Sequence, residues 1–145
     1  MNNNVVKFSL WDTAGQEEFD KLRYLSYNNS NVFVICFSLV SKTSLNNVVT
    51  RWKVELDQYA KGVPIILVGT KADCRDDQEI YEQMKKGGTA DELVTDDDAR
   101  KVAAQIGAVA YFATSARLKQ GVQEVFQKCL DLRFQKPPGK KCLLM

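Results

Sequence analysis

Apolar and polar positions alternate over VVKFSLW (5–11), which puts Val6, Phe8 and Leu10 on one face and predicts a strand. The Asn run at 2–4 before it reads as turn residues, as at the bend of a hairpin. NVFVICFSL (31–39) is a near-continuous apolar run, the pattern of a strand covered on both faces. Leu45, Val48, Val49, Trp52, Leu56 and Tyr59 then recur at helical spacing, ending near Gly62. VPIILVG (63–69) predicts another buried strand, with Gly69 leading into a loop. A short helix is expected from Asp77 to Lys86, with Ile80 and Met84 on one face and Gly87 and Gly88 as its stop. Thr95 and Asp98 resemble a capping box that opens a helix to Ile106, stopped by Gly107. VAYFAT (109–114) is a short strand. Val122, Val125, Phe126, Cys129, Leu130 and Arg133 line one side of a last helix that ends before Pro137 and Pro138. Buried strands alternating with helices imply an α/β fold with a mostly parallel sheet flanked by helices.

Composition narrows the function classes. The 145 residues suit one domain, and a net charge of +2 gives no electrostatic footprint for nucleic acid. With no His and no CxxC among Cys36, Cys74, Cys129 and Cys142, a structural zinc site lacks ligands at usable spacing. Cys36 and Cys129 fall on apolar faces and are expected to be buried free thiols. The apolar runs are strand-sized, so no membrane-length segment is expected, and a reduced, cytosol-facing setting follows. Charge is uneven: from Arg133 onward come Lys136, Lys140 and Lys141 and no acid, whereas Asp96, Asp97 and Asp98 form an acidic run.

In an open α/β sheet, ligands sit at the carboxyl ends of the strands, and three loops are predicted there. In DTAGQE (12–17), Asp12 is suited to hold magnesium through water, because hard cations take carboxylate oxygen. Gly15 lets a backbone N–H approach a terminal phosphate, and Gln16 is placed to orient an attacking water. In GTKAD (69–73), the Lys71 stem can lie along a purine ring, while Asp73 can accept from the N1–H and exocyclic N–H₂ of guanine. Adenine lacks that donor pair and would leave a buried acceptor unpaired. In TSARL (114–118), the N–H of Ala116 can donate to the guanine O6, with Ser115 bracing the loop. Each signal is weak alone; their order at successive strand ends is specific.

At this point the chain resembles a Ras-superfamily small GTPase, in the Rho family near its Rac branch. WDTAGQEEFDKLRYLSY is similar to that family's second switch region, and ICFSLVSKTSLNNV, PIILVGTKADCRDD and QIGAVAYFATSA match it in order and spacing. Thr70 before Lys71, where most Ras relatives have Asn, is Rho-like, as is an inserted helix near 77–88. The resemblance covers Val5 to Met145. It implies GTP or GDP with Mg²⁺ as cofactors, catalysis through Gln16, and a nucleotide set of Asp12, Gly15, Thr70, Lys71, Asp73, Ser115, Ala116 and Arg117. Tyr24 stands where the second switch usually has Pro, and Thr114 and Arg117 depart from the usual CSAL. Exchange factors, activating proteins, dissociation inhibitors and effectors are the partners it implies.

No G-x-x-x-x-G-K-[ST] occurs; the glycines at 15, 62, 69, 87, 88, 107, 121 and 139 admit no frame for it. The family carries that phosphate loop and the first switch upstream of the segment matched here. The expected architecture is therefore a P-loop-NTPase-like sheet without the family's first two strands and first helix. Phosphate affinity is expected to be impaired, and a truncated reading frame or an alternative start, rather than a deliberately shortened enzyme, is the expected origin of the pattern. Residues 1–134 form the partial G domain and 135–145 a prenylation tail. KPPGKKCLLM ends in a C-a-a-X box: Cys142 would take a prenyl group, Met145 favours farnesyl, and Lys136, Lys140 and Lys141 add attraction to an acidic leaflet. The implied location is cytoplasmic and peripheral on membranes. A second reading is a non-catalytic, membrane-anchored binding module or decoy for Rho regulators, presenting Phe19, Leu22, Tyr24 and Leu25.

Overall fold

The computed structural model describes residues 5–135, so the Asn run, Cys142 and the tail lysines 136, 140 and 141 lie outside the described residues. Three strands form one parallel sheet in the order β1 (Phe33–Ser38), β2 (Ile65–Thr70), β3 (Ala110–Ala113). Ser38 is level with Thr70 and Gly69 with Ala113, so the strands stop in one row and the loops after them leave from one sheet edge. This is the α/β fold expected of a P-loop GTPase sheet that lacks strands.

The pleat sorts the core into two halves. Ile35, Phe37, Ile65 and Leu67 project to one face and are buried against Leu45, Val48 and Leu56 and against Val94, Ala99, Ala103 and Ile106. Ile66 and Val68 project to the other face, where Val125 and Cys129 of the last helix cover them. Cys129 is the buried thiol the sequence implied.

Two expectations fail at the edge of β1. Residues 5–11 form no strand; Val5, Phe8, Leu10 and Trp11 are exposed, and Phe8 only meets Phe126 edge-on at 5.6 Å. A strand exists by pairing, and no backbone ladder joins this stretch to β1. Asp12 therefore sits in an extended loop rather than at a strand end. β1 is likewise not covered on both faces: the last helix reaches over β2 but leaves Val34 and Cys36 open, so Cys36 is an exposed thiol. Phe126, on the same helix, is also partly exposed rather than packed.

The helix after β1 is a composite. α1 (Asp20–Tyr27) precedes the sheet; α2 (Lys42–Asn47) then runs through a π-helical turn at Val48–Trp52 into α3 (Lys53–Tyr59). Ser41 caps α2 by accepting from the Ser44 N–H. Asp91, fifty positions on, reinforces that end: its carboxylate accepts from the Ser41 hydroxyl at 2.6 Å and from the backbone N–H of Lys42, Thr43 and Glu92. Partial burial raises its pKa, but those donors outweigh this and bring it down to about 2. A depressed folded-state pKa stabilises the fold above the ordinary Asp range and is lost as pH falls toward 2. Asp91→Asn is expected to cost about 1.5–3 kcal/mol at neutral pH, the worth of a charged hydrogen bond. It should also flatten the acid limb between about pH 4 and pH 2 in a series of urea titrations.

The remaining helices are α4 (Ala72–Asp76), α5 (Gln78–Lys86), α6 (Asp96–Ile106) and α7 (Val122–Phe134). Asp77 caps α5, which buries Tyr81 while Ile80 and Met84 are half-buried. Thr95 caps α6 by accepting from the Asp98 N–H, and Gly107 ends it in the left-handed region at φ 69°. The reciprocal half of the capping box is replaced, because the Asp98 carboxylate pairs with Lys42 at 2.8 Å.

Candidate nucleotide site

β2 delivers Thr70, and the chain turns into α4 through Lys71, whose φ of 62° is left-handed, a strained setting for a side chain with a Cβ. The turn is held because the Lys71 carbonyl accepts from both Cys74 and Arg75 N–H at 3.1 Å. β3 delivers the partner loop. Thr114 donates its N–H at 2.7 Å and its hydroxyl at 3.1 Å to the Gly69 carbonyl, and its own carbonyl accepts from Ala72 N–H at 3.0 Å. One residue later, the buried Ser115 donates its hydroxyl to Asp73 Oδ1 at 2.8 Å and accepts from Leu118 N–H. Ser115 also exchanges two backbone bonds with Gln120. The two loops are thus one hydrogen-bonded unit.

The Ser115 bond holds the Asp73 pKa below the usual carboxylate value, against a smaller opposing effect of desolvation; Arg117 adds to the lowering. Asp73 is therefore a carboxylate at neutral pH, an acceptor with lone pairs left for two parallel N–H donors. Lys71, Ala116 and Arg117 are exposed around it.

The third loop approaches from the other side. Asp12, Thr13 and Gly15 line a cavity of about 520 Å³ together with Thr70, Thr114, Val34 and Cys36. Through Thr70 and Thr114 the DTAGQE turn faces the strand ends; Gln16, Lys71, Asp73, Ser115, Ala116 and Arg117 lie outside that cavity's lining. Gln16 precedes the 3-10 turn Glu17–Phe19, and its side chain makes no capping bond. Among the described residues no three His, Cys, Asp or Glu side chains gather to hold a metal. A lone carboxylate such as Asp12 suits magnesium, whose remaining ligands are then water and phosphate oxygens, and does not suit a metal held by protein alone.

A match to the Ras family covers residues 1–134. The chain is 43% identical over 149 residues to "GTP-binding protein RHO1" of Candida albicans, an alignment spanning all of this chain and 74% of that protein. It is 46% identical over 135 residues to the protein of that name in Eremothecium gossypii, spanning 93% and 64%. The Saccharomyces cerevisiae protein is 48% identical over 122 residues, spanning 84% and 57%. The chain is a Rho-family small GTPase sequence of the Ras superfamily. It spans between a little over half and three quarters of the length of these Rho relatives.

One residue of this Rho-family chain escaped the motif reading. Arg23, on α1, is 3% exposed and lies at the floor of the DTAGQE turn, bonded to Glu55 of α3. The signal was present in the spacing: Asp20, Arg23 and Tyr27 fall at i, i+3 and i+7 on one helix face. That face reads as surface charge until Glu55 is placed opposite it.

Proposed function

We propose that this chain is the base-recognising part of a Rho-type, guanine-nucleotide-dependent switch. The observation that carries the reading is the Ser115–Asp73 hydrogen bond, which presents a charged carboxylate beside the row of strand ends. Asp73 accepts from the guanine edge, Ala116 donates to O6 through its backbone, and Lys71 and Arg117 border the ring. Thr70 ends the strand behind them. At the phosphate end Asp12 meets magnesium through water, Gly15 offers its N–H, and Gln16 orients water for hydrolysis. Magnesium, when bound, offsets phosphate charge.

Nucleotide binding by the 145-residue chain is weak and hydrolysis is impaired, since no G-x-x-x-x-G-K-[ST] is present to cradle the phosphates. Exchange factors, activating proteins, dissociation inhibitors and effectors are its partner classes. A prenyl group on Cys142, aided by Lys136, Lys140 and Lys141, holds it peripherally on the cytoplasmic face of membranes. Among the described residues no helix is long and apolar enough to cross a membrane.

The test is a titration with fluorescent guanine and adenine nucleotides. Guanine binding weaker than micromolar is expected, preferred over adenine by at least about tenfold, or 1.4 kcal/mol. Asp73→Ala should erase that preference and, by leaving the buried Ser115 hydroxyl without its acceptor, cost about 1–3 kcal/mol of stability. Equal binding of both bases would defeat the base reading, and submicromolar GTP binding would defeat the weak-phosphate reading.

A further inference from the structure

We propose that Arg23 is a positioning residue that sets the direction in which the Gly15 N–H points. The proposal rests on the reading that the DTAGQE turn meets a phosphate, and it adds the device that aims the turn. A guanidinium has five N–H donors in a fixed plane. All five are engaged here. Nε and Nη2 form a fork on Glu55 at 2.7 and 2.9 Å, and Nη2 also donates to Asp20. Nη1 gives both its protons to the turn, to the Ala14 carbonyl at 2.8 Å and the Gln16 carbonyl at 3.4 Å.

Gly15 therefore lies between two gripped carbonyls. Because a trans peptide is planar, the Ala14 carbonyl and the Gly15 N–H point in opposite directions across one bond. Holding that carbonyl down on Arg23 turns the Gly15 N–H up and away from α1. The Gln16 carbonyl fixes the Glu17 N–H in the same manner. Trp52 supplies the seat. A Cβ at Gly15 would sit 3.4 Å from the indole, and the same ring lies 5.2 Å from the Arg23 guanidinium carbon. Burial opposes the charge on Arg23, yet the Glu55 bond outweighs burial and keeps the guanidinium ionised.

Lysine carries three donors on a point-like ammonium and cannot reproduce the fork. Arg23→Lys keeps a cation beside Glu55 and Asp20 but has too few donors, wrongly placed, for both carbonyls. The test uses the full 145-residue chain and its Arg23→Lys variant, with unfolding midpoints measured alongside. The first readout is the ¹⁵N order parameter of Gly15, which needs no nucleotide. It is expected to fall from about 0.85 to below about 0.6 while the β2 amides stay rigid. The second readout is the ratio of GTP to guanosine affinity, expected to drop about tenfold with guanosine binding unchanged.

An unaltered Gly15 order parameter in Arg23→Lys would overturn the proposal, whatever the nucleotide does. So would a GTP-to-guanosine ratio that survives the change in a chain that prefers GTP. If wild type binds GTP and guanosine equally, the phosphate reading of the turn fails by itself; loosening of Gly15 in the variant would still establish Arg23 as its anchor.

Discussion

Glu55→Ala will remove about 3–5 kcal/mol of stability, the range for breaking a buried ion pair by deleting one partner. Glu55 is 9% exposed and accepts from three groups: Arg23 Nε, Arg23 Nη2 and the hydroxyl of Tyr27, itself 8% exposed. These bonds lower its pKa, against a larger individual effect of desolvation, so the deleted group is a carboxylate at neutral pH. The variant leaves a buried hydroxyl without its acceptor and a buried guanidinium with only Asp20 and two carbonyls. A domain is stable by about 5–15 kcal/mol, so the loss is a large share of the whole. Urea unfolding at neutral pH measures it. The control is the double change Arg23→Met and Glu55→Leu, which removes both charges and keeps apolar volume. It should recover most of the loss, since well-packed apolar replacements of buried pairs are often neutral or stabilising. A double variant as unstable as Glu55→Ala would show that packing and the orphaned Tyr27 hydroxyl, and not the stranded charge, carry the cost.

Gly121→Ala is the second large effect. Gly121 stands at φ 72° immediately before α7, where an L side chain costs about 1–2 kcal/mol. An added Cβ would also collide with the Ala113 carbonyl oxygen and press on the Thr114 methyl at 3.2 Å. Forcing atoms into a filled site costs a further 1–3 kcal/mol or so. The combined loss is about 2–5 kcal/mol, read as a lower urea midpoint at constant slope. Gly62→Ala separates the two causes. Its φ is 86°, but nothing lies within 4 Å of a Cβ there, so it should show the conformational cost alone. Ala113 and Thr114 lead into Ser115, so Gly121→Ala should also weaken guanosine binding, whereas Gly62→Ala should not. Equal losses in the two variants would remove the steric argument.

The comparison between sequence and structure turns on pairing. The position of β2 was legible because its long apolar run is buried on both faces, and that of β3 because a short apolar run follows the Gly107 helix stop. Helix ends were legible at Asp77, Thr95 and Gly107 because these carry local chemistry that acts wherever the chain goes, whereas the Ser41 cap came to light only in the structure. The stretch 5–11 has the alternation of a strand, yet alternation only records which faces are apolar. Whether a ladder forms depends on a neighbour, which periodicity cannot report. Cys36 failed for the same reason: its apolar context promised cover, and α7, which covers Ile66 and Val68 of β2, leaves Val34 and Cys36 of β1 open. At the site, Asp73 and Ser115 were legible as loop residues, but their mutual bond spans 42 positions and required the sheet to bring it about. Arg23 and Glu55, 32 positions apart, illustrate the same limit.

The wide turn at Val48–Trp52 fixes more than a bend. Its Lys53 N–H reaches back five residues to the Val48 carbonyl, so a residue deleted there lets the turn revert to regular helix, whereas one added, at about 100° of azimuth per residue, would swing everything downstream. Leu45 and Val48 would stay anchored on the sheet while the indole under Gly15 and the acid beneath Arg23 rotated toward solvent together. Added length is therefore constrained between 42 and 59 in a way that residue identity is not. A homologous chain can exchange many side chains along this rod, but a one-residue insertion there would unseat the floor of the turn.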